Sequence, residues 1–253
     1  MREQILTHLT QIEEQYSVKI LLAVESGSRA WGFPSPDSDY DVRFVYVRKK
    51  GTYLSLDDYK DTIEYLHEDV LDINGWDIKK FLQYLKKSSA TSFEWLLSHI
   101  IYTQGPDFII ETWKHCKTYY SGIHKFNHYR GIELSSYKSN VLKGSIKLKK
   151  HFYVIRPLLT IKWIKERNTI PPVTKEHLLQ IINDEALIFQ IRDLITLKSN
   201  ATESYFHPIE TTMLSFIENQ FDTISNFSFP KEIGIGLHQL INEFFREIIE
   251  KYE

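Results

Sequence analysis

One cysteine occurs in the chain, Cys116, so no internal disulfide can form and the ligands for a structural thiolate zinc site are missing. Neither sign of charge dominates. The formal net charge is −2, so the molecule as a whole is not a generic polyanion binder, and any nucleic-acid surface must be a local patch. No apolar run reaches membrane-spanning length. The opening segment MREQILTHLTQIEEQ has neither a long apolar core nor a small-residue cleavage site, so it does not read as a signal peptide. The expectation is a cytoplasmic protein with no membrane partner. Internal repeats and low-complexity tracts are absent. The ten histidines form no pair at metal-ligand spacing, and Cys116, in WKHCKTYY, lacks the setting of a hydrolase nucleophile.

What is present is a globular composition, 42% hydrophobic and 25% charged, which excludes a disordered chain. A length of 253 residues allows one large domain or two ordinary ones with real cores. The opening segment is an amphipathic helix, with Ile5, Leu6, Leu9 and Ile12 near helical spacing. VKILLAVES is a continuous apolar run and reads as a buried strand. DYDVRFVYVRK is a second strand signal, residues 49–60 a loop or hairpin connection, and DTIEYLHEDVLDI further strand in two pieces. From Asn74, NGWDIKKFLQYLKKS places Ile78, Phe81, Leu82 and Leu85 on one helical face, with Asn74 as the expected N-cap. SFEWLLSHIIYTQ and 107–122 read as mostly helical. Beyond about 125 strand signals fade, and Pro157 marks a kink or boundary. The fold class expected is therefore α+β: an N-terminal mixed sheet with helices, followed by an all-α domain. The division is placed at 1–120 and 121–253.

The chemistry concentrates in ESGSRAWGFPSPDSDYDVRF, residues 25–44. Strand side chains alternate, so Asp39 and Asp41 share a face about 7 Å apart along the backbone. Two carboxylates that close resist burial, and a divalent cation between them removes the conflict. Hard oxygen ligands select magnesium or manganese rather than zinc. A calcium loop beginning at Asp37 fails, because its sixth and twelfth positions hold Val42 and Arg48 instead of glycine and a bidentate acid. Just upstream, Gly27 lets the backbone approach a ligand, and free N–H groups beyond a strand end cradle phosphate. Ser28 adds a hydroxyl donor. Arg29 adds a charged fork, either for phosphate or for a neighbouring aspartate.

Gly27-Ser28, ten residues, then Asp39-Tyr40-Asp41-Val42 resembles the signature of the DNA polymerase β nucleotidyltransferase superfamily. GSRAWGF, SDYDVRFVY, GWDIKKFL, EWLLS and KKHFYVIRPLL resemble a narrower bacterial group, the RlaP/YcgL-like predicted nucleotidyltransferases associated with RNA repair. Tyr40 departs from the aliphatic residue usual in the superfamily. The resemblance implies a metal-dependent enzyme that transfers a nucleoside monophosphate from a triphosphate to an acceptor hydroxyl and releases pyrophosphate. It implies two Mg²⁺ ions, with Mn²⁺ as the alternative, held by Asp39, Asp41 and a third carboxylate on a neighbouring strand. Of Glu64, Glu68, Asp69, Asp72 and Asp77, Asp72 is preferred, because it sits in the apolar strand-like VLDI while Asp77 already has a structural job in the first helical turn. Gly27, Ser28 and Arg29 would then bind the phosphates. The run Lys138–Arg167 carries nine Lys and Arg and one acid. By analogy with two-domain relatives, Lys147, Lys150 and Arg156 would contribute to the nucleotide site. The acceptor expected first is an RNA end, then a protein hydroxyl, then a small hydroxylated molecule. The alternative is a protein of this fold that binds nucleotide or RNA without turnover.

Overall fold

The computed structural model describes residues 1–68, 70–122, 129, 131, 145–201, 205–225, 227 and 238–252. Contacts divide the chain into two compact units, neither continuous in sequence. The first comprises Met1–Ala30, Asp39–Tyr120 and Ile233–Glu253; the second comprises Trp31–Ser38 and Ser121–Glu232.

The first unit is built on a five-stranded mixed sheet. Its strands are β1 (Val18–Glu25), β2 (Tyr40–Arg48), β3 (Thr62–Glu68), β4 (Leu71–Asp77) and β5 (Ile101–Gln104), in the order β3-β4-β2-β1-β5. β1 runs antiparallel to β2 and β5, and β3 antiparallel to β4. β2 and β4 are parallel. Every residue of β1 except Lys19 is buried, which is why it reads as an unbroken apolar run. Helix α1 (Arg2–Tyr16) lays Ile5, Leu9 and Ile12 against Val18, Ile20, Val42, Phe44 and Ile73 of the sheet. Each of those apolar side chains contributes about 1.5–3 kcal/mol by leaving water. The short helices α2 (Gly27–Trp31) and α3 (Lys50–Tyr53) flank β2 in sequence. Helix α4 (Ile78–Lys86) buries the four predicted apolar positions.

The structure departs from two local expectations. The α4 N-cap is Asp77 and not Asn74. Parallel pairing with β2 carries β4 on to Asp77, opposite Tyr46, and the Asp77 carboxylate accepts from the Lys79 N–H at 2.8 Å. Asn74 sits inside β4. Its neighbour Gly75 is packed so closely that a Cβ would come within 2.3 Å of the Phe44 ring. Downstream, α5 (Ala90–Leu97) ends early, and Ile101–Gln104 forms the edge strand β5 rather than more helix. A short apolar run is compatible with either state, and the exposed edge of β1 decides for strand. Helix α6 (Phe108–Cys116) follows. It ends on the buried Cys116, whose thiol burial pushes up to about 12 and keeps unreactive.

The second unit is helical, with one small sheet that the sequence reading did not include. β6 (Ser145–Lys147) pairs antiparallel with β7 (Phe206–Pro208). Helix α7 (Leu148–Arg167) contains Pro157 in its interior, so Pro157 is not a helix boundary, and it stops at Asn168, a left-handed residue with φ 47°. Helices α8 (Lys175–Leu178), α9 (Glu185–Asn200) and α10 (Thr211–Ser225) complete it. Asp184 caps α9 by accepting from the Leu187 N–H at 3.1 Å. Residues 31–38 are fastened into this unit. Phe33 stacks on Phe152 with ring centroids 4.6 Å apart, and the buried Lys198 donates to the Phe33 carbonyl at 2.9 Å and the Ser35 hydroxyl at 3.4 Å. The last helix, α11 (His238–Lys251), belongs to the first unit. Among the described residues no helix is long and apolar enough to cross a membrane.

Candidate functional site

Parallel pairing of β2 with β4 sets Asp41 directly beside Asp72. Neighbouring strands lie about 4.8 Å apart, so the two carboxylates would repel without a cation. Arg43 supplies one. It stands two residues after Asp41, hence on the same face of β2. A single nitrogen, Nη2, lies 3.0 Å from Asp41 Oδ1 and 2.6 Å from Asp72 Oδ2. Its other terminal nitrogen donates to the Val42 and Asp72 carbonyls, both at 3.1 Å. The acid pair is thus arranged around a positive charge.

Beneath it lies Glu25, the last residue of β1 and 1% exposed. One carboxylate oxygen accepts from the Asp41 N–H at 2.8 Å, and the other accepts from the Tyr102 hydroxyl. Loss of water around this carboxyl raises its pKa above the usual range, against the lowering effect of those two hydrogen bonds. Glu25 therefore ties the end of β1 and the edge strand β5 to the backbone that carries Asp41.

The turn after β1 packs on the same acid. The Ser26 N–H donates to the Asp41 carbonyl at 2.8 Å. Gly27 adopts φ +61°, and a Cβ there would fall 2.0 Å from Asp41 Oδ2. Only glycine fits both the conformation and the approach. Two residues on, Arg29 Nε donates to the Asp39 carbonyl at 3.1 Å, and its guanidinium lies 3.7 Å above the Tyr40 ring. That contact gives Tyr40 a role an aliphatic residue could not fill.

A family model described as "RlaP: RNA repair pathway DNA polymerase beta family" matches residues 1–247. The chain belongs to this family. It is 35% identical over 254 residues to the "Uncharacterized protein YcgL" of Bacillus subtilis (strain 168), an alignment that covers 100% of this chain and 97% of that one. Among solved structures, a nucleotidyltransferase-like protein from Exiguobacterium sibiricum 255-15 aligns over 96% of this chain and 78% of its own. Its identity is 10% and its TM-score 0.29, a likeness too slight to carry weight.

Of the residues expected in an RlaP-type site, Gly27, Ser28, Arg29, Asp39, Asp41 and Asp72 all lie in the first unit. Asp39 precedes β2 by one residue. Asp77 is at the far end of β4 from Asp72, about 16 Å along the strand. There it is fully buried, caps α4, and accepts from the Tyr53 hydroxyl at 2.9 Å. Asp69 falls outside the described residues. Lys147, Lys150 and Arg156 are all in the second unit. Lys147 ends β6 and forms the N-cap of α7, so it precedes the helix that carries Lys150. The Lys150 ammonium lies 5.5 Å from the Tyr153 ring centroid. Arg156 is buried, its guanidinium 4.3 Å from the Trp31 ring centroid. Lys138 and Lys143 lie outside the described residues.

The structure adds two residues to the site, Glu25 and Arg43. Arg43 had a signal in the sequence, since Asp39, Asp41 and Arg43 alternate. Glu25 had a weaker one: an acid closing an otherwise apolar strand. Among the described residues no group of three or more His, Cys, Asp or Glu side chains surrounds a common metal position. The donor chemistry of Asp41 and Asp72 nevertheless fits a hard cation, because both carboxylates already converge on one positive nitrogen.

Proposed function

We propose that the chain is a metal-dependent nucleotidyltransferase. It moves a nucleoside monophosphate from a nucleoside triphosphate to an acceptor hydroxyl, an RNA end before any other, and releases pyrophosphate. The observation that supports this most is the Asp41–Asp72 pair in parallel register, with Gly27 pressed against the Asp41 carboxylate.

Asp39, Asp41 and Asp72 are the residues that would hold divalent ions. Bound there, Mg²⁺ or Mn²⁺ would neutralise phosphate oxygens and make an attacking hydroxyl more acidic. The chain's own groups do the positioning. Glu25 fixes the backbone under Asp41. Gly27 and Ser28 offer backbone and hydroxyl donors to the β and γ phosphates, and Arg29 is held over Tyr40 with cationic donors of its own. Lys147, Lys150 and Arg156 are assigned to nucleotide binding on charge and family alone. Positioning and charge neutralisation supply most of the acceleration in such transfers.

A reading without turnover has one observation in its favour: the described carboxylates do not form a three-ligand cluster. The two readings separate on incubation with Mg²⁺, each α-labelled triphosphate and total RNA. Labelled RNA with stoichiometric pyrophosphate is the expected result, lost in Asp41→Asn. Label transfer that persists in Asp41→Asn removes the metal role, and tight nucleotide binding with no transfer to any acceptor establishes the second reading.

A further inference from the structure

We propose that Arg43 is a built-in counter-cation that a divalent ion must displace. It holds Asp41 and Asp72 together before the ion binds, and the ion takes the two carboxylates in exchange for the guanidinium. The inference rests on the metal-dependent reading above and goes beyond it by assigning the competitor.

The geometry of Arg43 differs from that of a surface ion pair. Its side chain is 17% exposed, and those of Asp41 and Asp72 are 30% and 23% exposed. The guanidinium is held at four points: both carboxylates through Nη2, and the Val42 and Asp72 carbonyls through Nη1. The two carbonyl bonds lock the plane of the fork, so Nη2 is aimed between the acids rather than resting beside one of them. A mobile lysine would not be held in this way. Within the group formed by Asp41, Asp72 and Arg43, charge favours exchange over sharing. Two carboxylates and one guanidinium sum to −1. The carboxylates with a dication sum to zero, and all three together sum to +1, with two cations drawn to the same oxygens. Repulsion between them opposes the ternary state. The pair is thereby kept in register without a metal, and the guanidinium sets the concentration of dication needed to open it. Once released, Arg43 is a cationic fork two residues along the strand from Asp41, on the face from which an anionic nucleotide would be met.

The test is Mn²⁺ binding to the full chain, by electron paramagnetic resonance or calorimetry, without nucleotide. Arg43→Gln keeps a planar hydrogen-bond donor and removes the charge. It is expected to bind Mn²⁺ about tenfold or more tightly than the unaltered chain, whereas Arg43→Lys, which keeps the charge, gains little. Asp41→Asn serves as the control and is expected to lose binding. If Arg43→Gln binds no more tightly than the unaltered chain while Asp41→Asn loses the ion, the exchange is wrong and the metal reading stands. If neither the unaltered chain nor Arg43→Gln binds Mn²⁺, or Asp41→Asn binds as well as the unaltered chain, both fall. Should the Arg43 variants fail to fold, the arginine side-chain ¹⁵N resonances of the unaltered chain provide a second measurement. The Arg43 Nη signals, whose N–H groups make the four contacts, are expected to shift and lose exchange protection as Mg²⁺ is added, and signals indifferent to saturating Mg²⁺ overturn the proposal.

Discussion

Replacing Gly27 by alanine tests the packing of the turn against Asp41 with a single methyl group. Two costs apply. At φ +61° an L side chain pays about 1–2 kcal/mol for the left-handed conformation. The methyl also falls 2.0 Å from Asp41 Oδ2 and 2.9 Å from its carboxyl carbon, far inside contact distance. If Asp41 holds its place, overpacking adds about 1–3 kcal/mol, for a total of about 2–5 kcal/mol. If Asp41 swings away instead, stability loses only the backbone part, but the carboxylate leaves Arg43 and cation binding falls. Urea unfolding and Mn²⁺ titration, run on the same samples, distinguish the two routes. A cycle with Asp41→Ala isolates the clash: in that background Gly27→Ala should cost only about 1–2 kcal/mol, leaving a coupling of about 1–3 kcal/mol. Gly51→Ala, where a Cβ meets nothing within 4 Å, is the control and should be neutral or slightly stabilising in its helix. The reasoning fails if Gly27→Ala matches the unaltered chain in both stability and cation binding, or if its cost is the same with and without the Asp41 carboxylate.

Three further perturbations follow from the same unit and its partner. Burial pushes the Asp77 carboxyl up to about 6 from an ordinary 3.8, so the folded chain binds a proton that the unfolded chain does not between those values. Stability from this group therefore rises as pH falls from 7 toward 4, and its charged form costs about 3 kcal/mol at neutral pH. Asp77→Asn, which can still cap α4 through its amide oxygen, should flatten that slope in urea unfolding at pH 4.5, 5.5 and 7; an unchanged slope refutes the assignment. Tyr102→Phe takes one donor from the buried Glu25 carboxylate and should lower unfolding free energy by about 1–3 kcal/mol, with no change in chemical denaturation counting against that bond. Lys198→Met removes the buried ammonium from the Phe33 carbonyl and should cost a similar 1–3 kcal/mol, read as a fall in melting temperature. An unshifted melting temperature would show that residues 31–38 do not depend on that anchor.

What could be read from the residues alone divides along a physical line. Features set by local periodicity came through: the unbroken apolar β1, the stripe on α1, the Ile78, Phe81, Leu82 and Leu85 face of α4. Features set by which strand lies beside which did not. β5 looks helical until the open edge of β1 is available to pair with it, and β6 and β7 are three residues each, separated by the length of α7 and α9. The α4 cap moved by three residues because the β2 ladder carried β4 past Asn74. No helix propensity of Asn74 could report that.

The candidate site follows the same division, and this bears on how it would work. Spacing placed Asp41 and Arg43 on one face of β2, but an arginine two residues from an acid is an ordinary surface pattern. It becomes informative only when the parallel register brings Asp72, thirty-one positions later in the chain, opposite Asp41. A second carboxylate at that point changes the role of the guanidinium from a partner for one acid to a bridge between two. Glu25 is hidden for the complementary reason. Its carboxyl is satisfied by the Asp41 N–H, so its function is visible only once β1 and β2 are paired. Both residues act on Asp41, one through the backbone and one through the carboxylate. The chemistry of this acid is therefore set by three strands together, and substitutions at Glu25 or Arg43 should alter cation binding even where Asp41 itself is untouched.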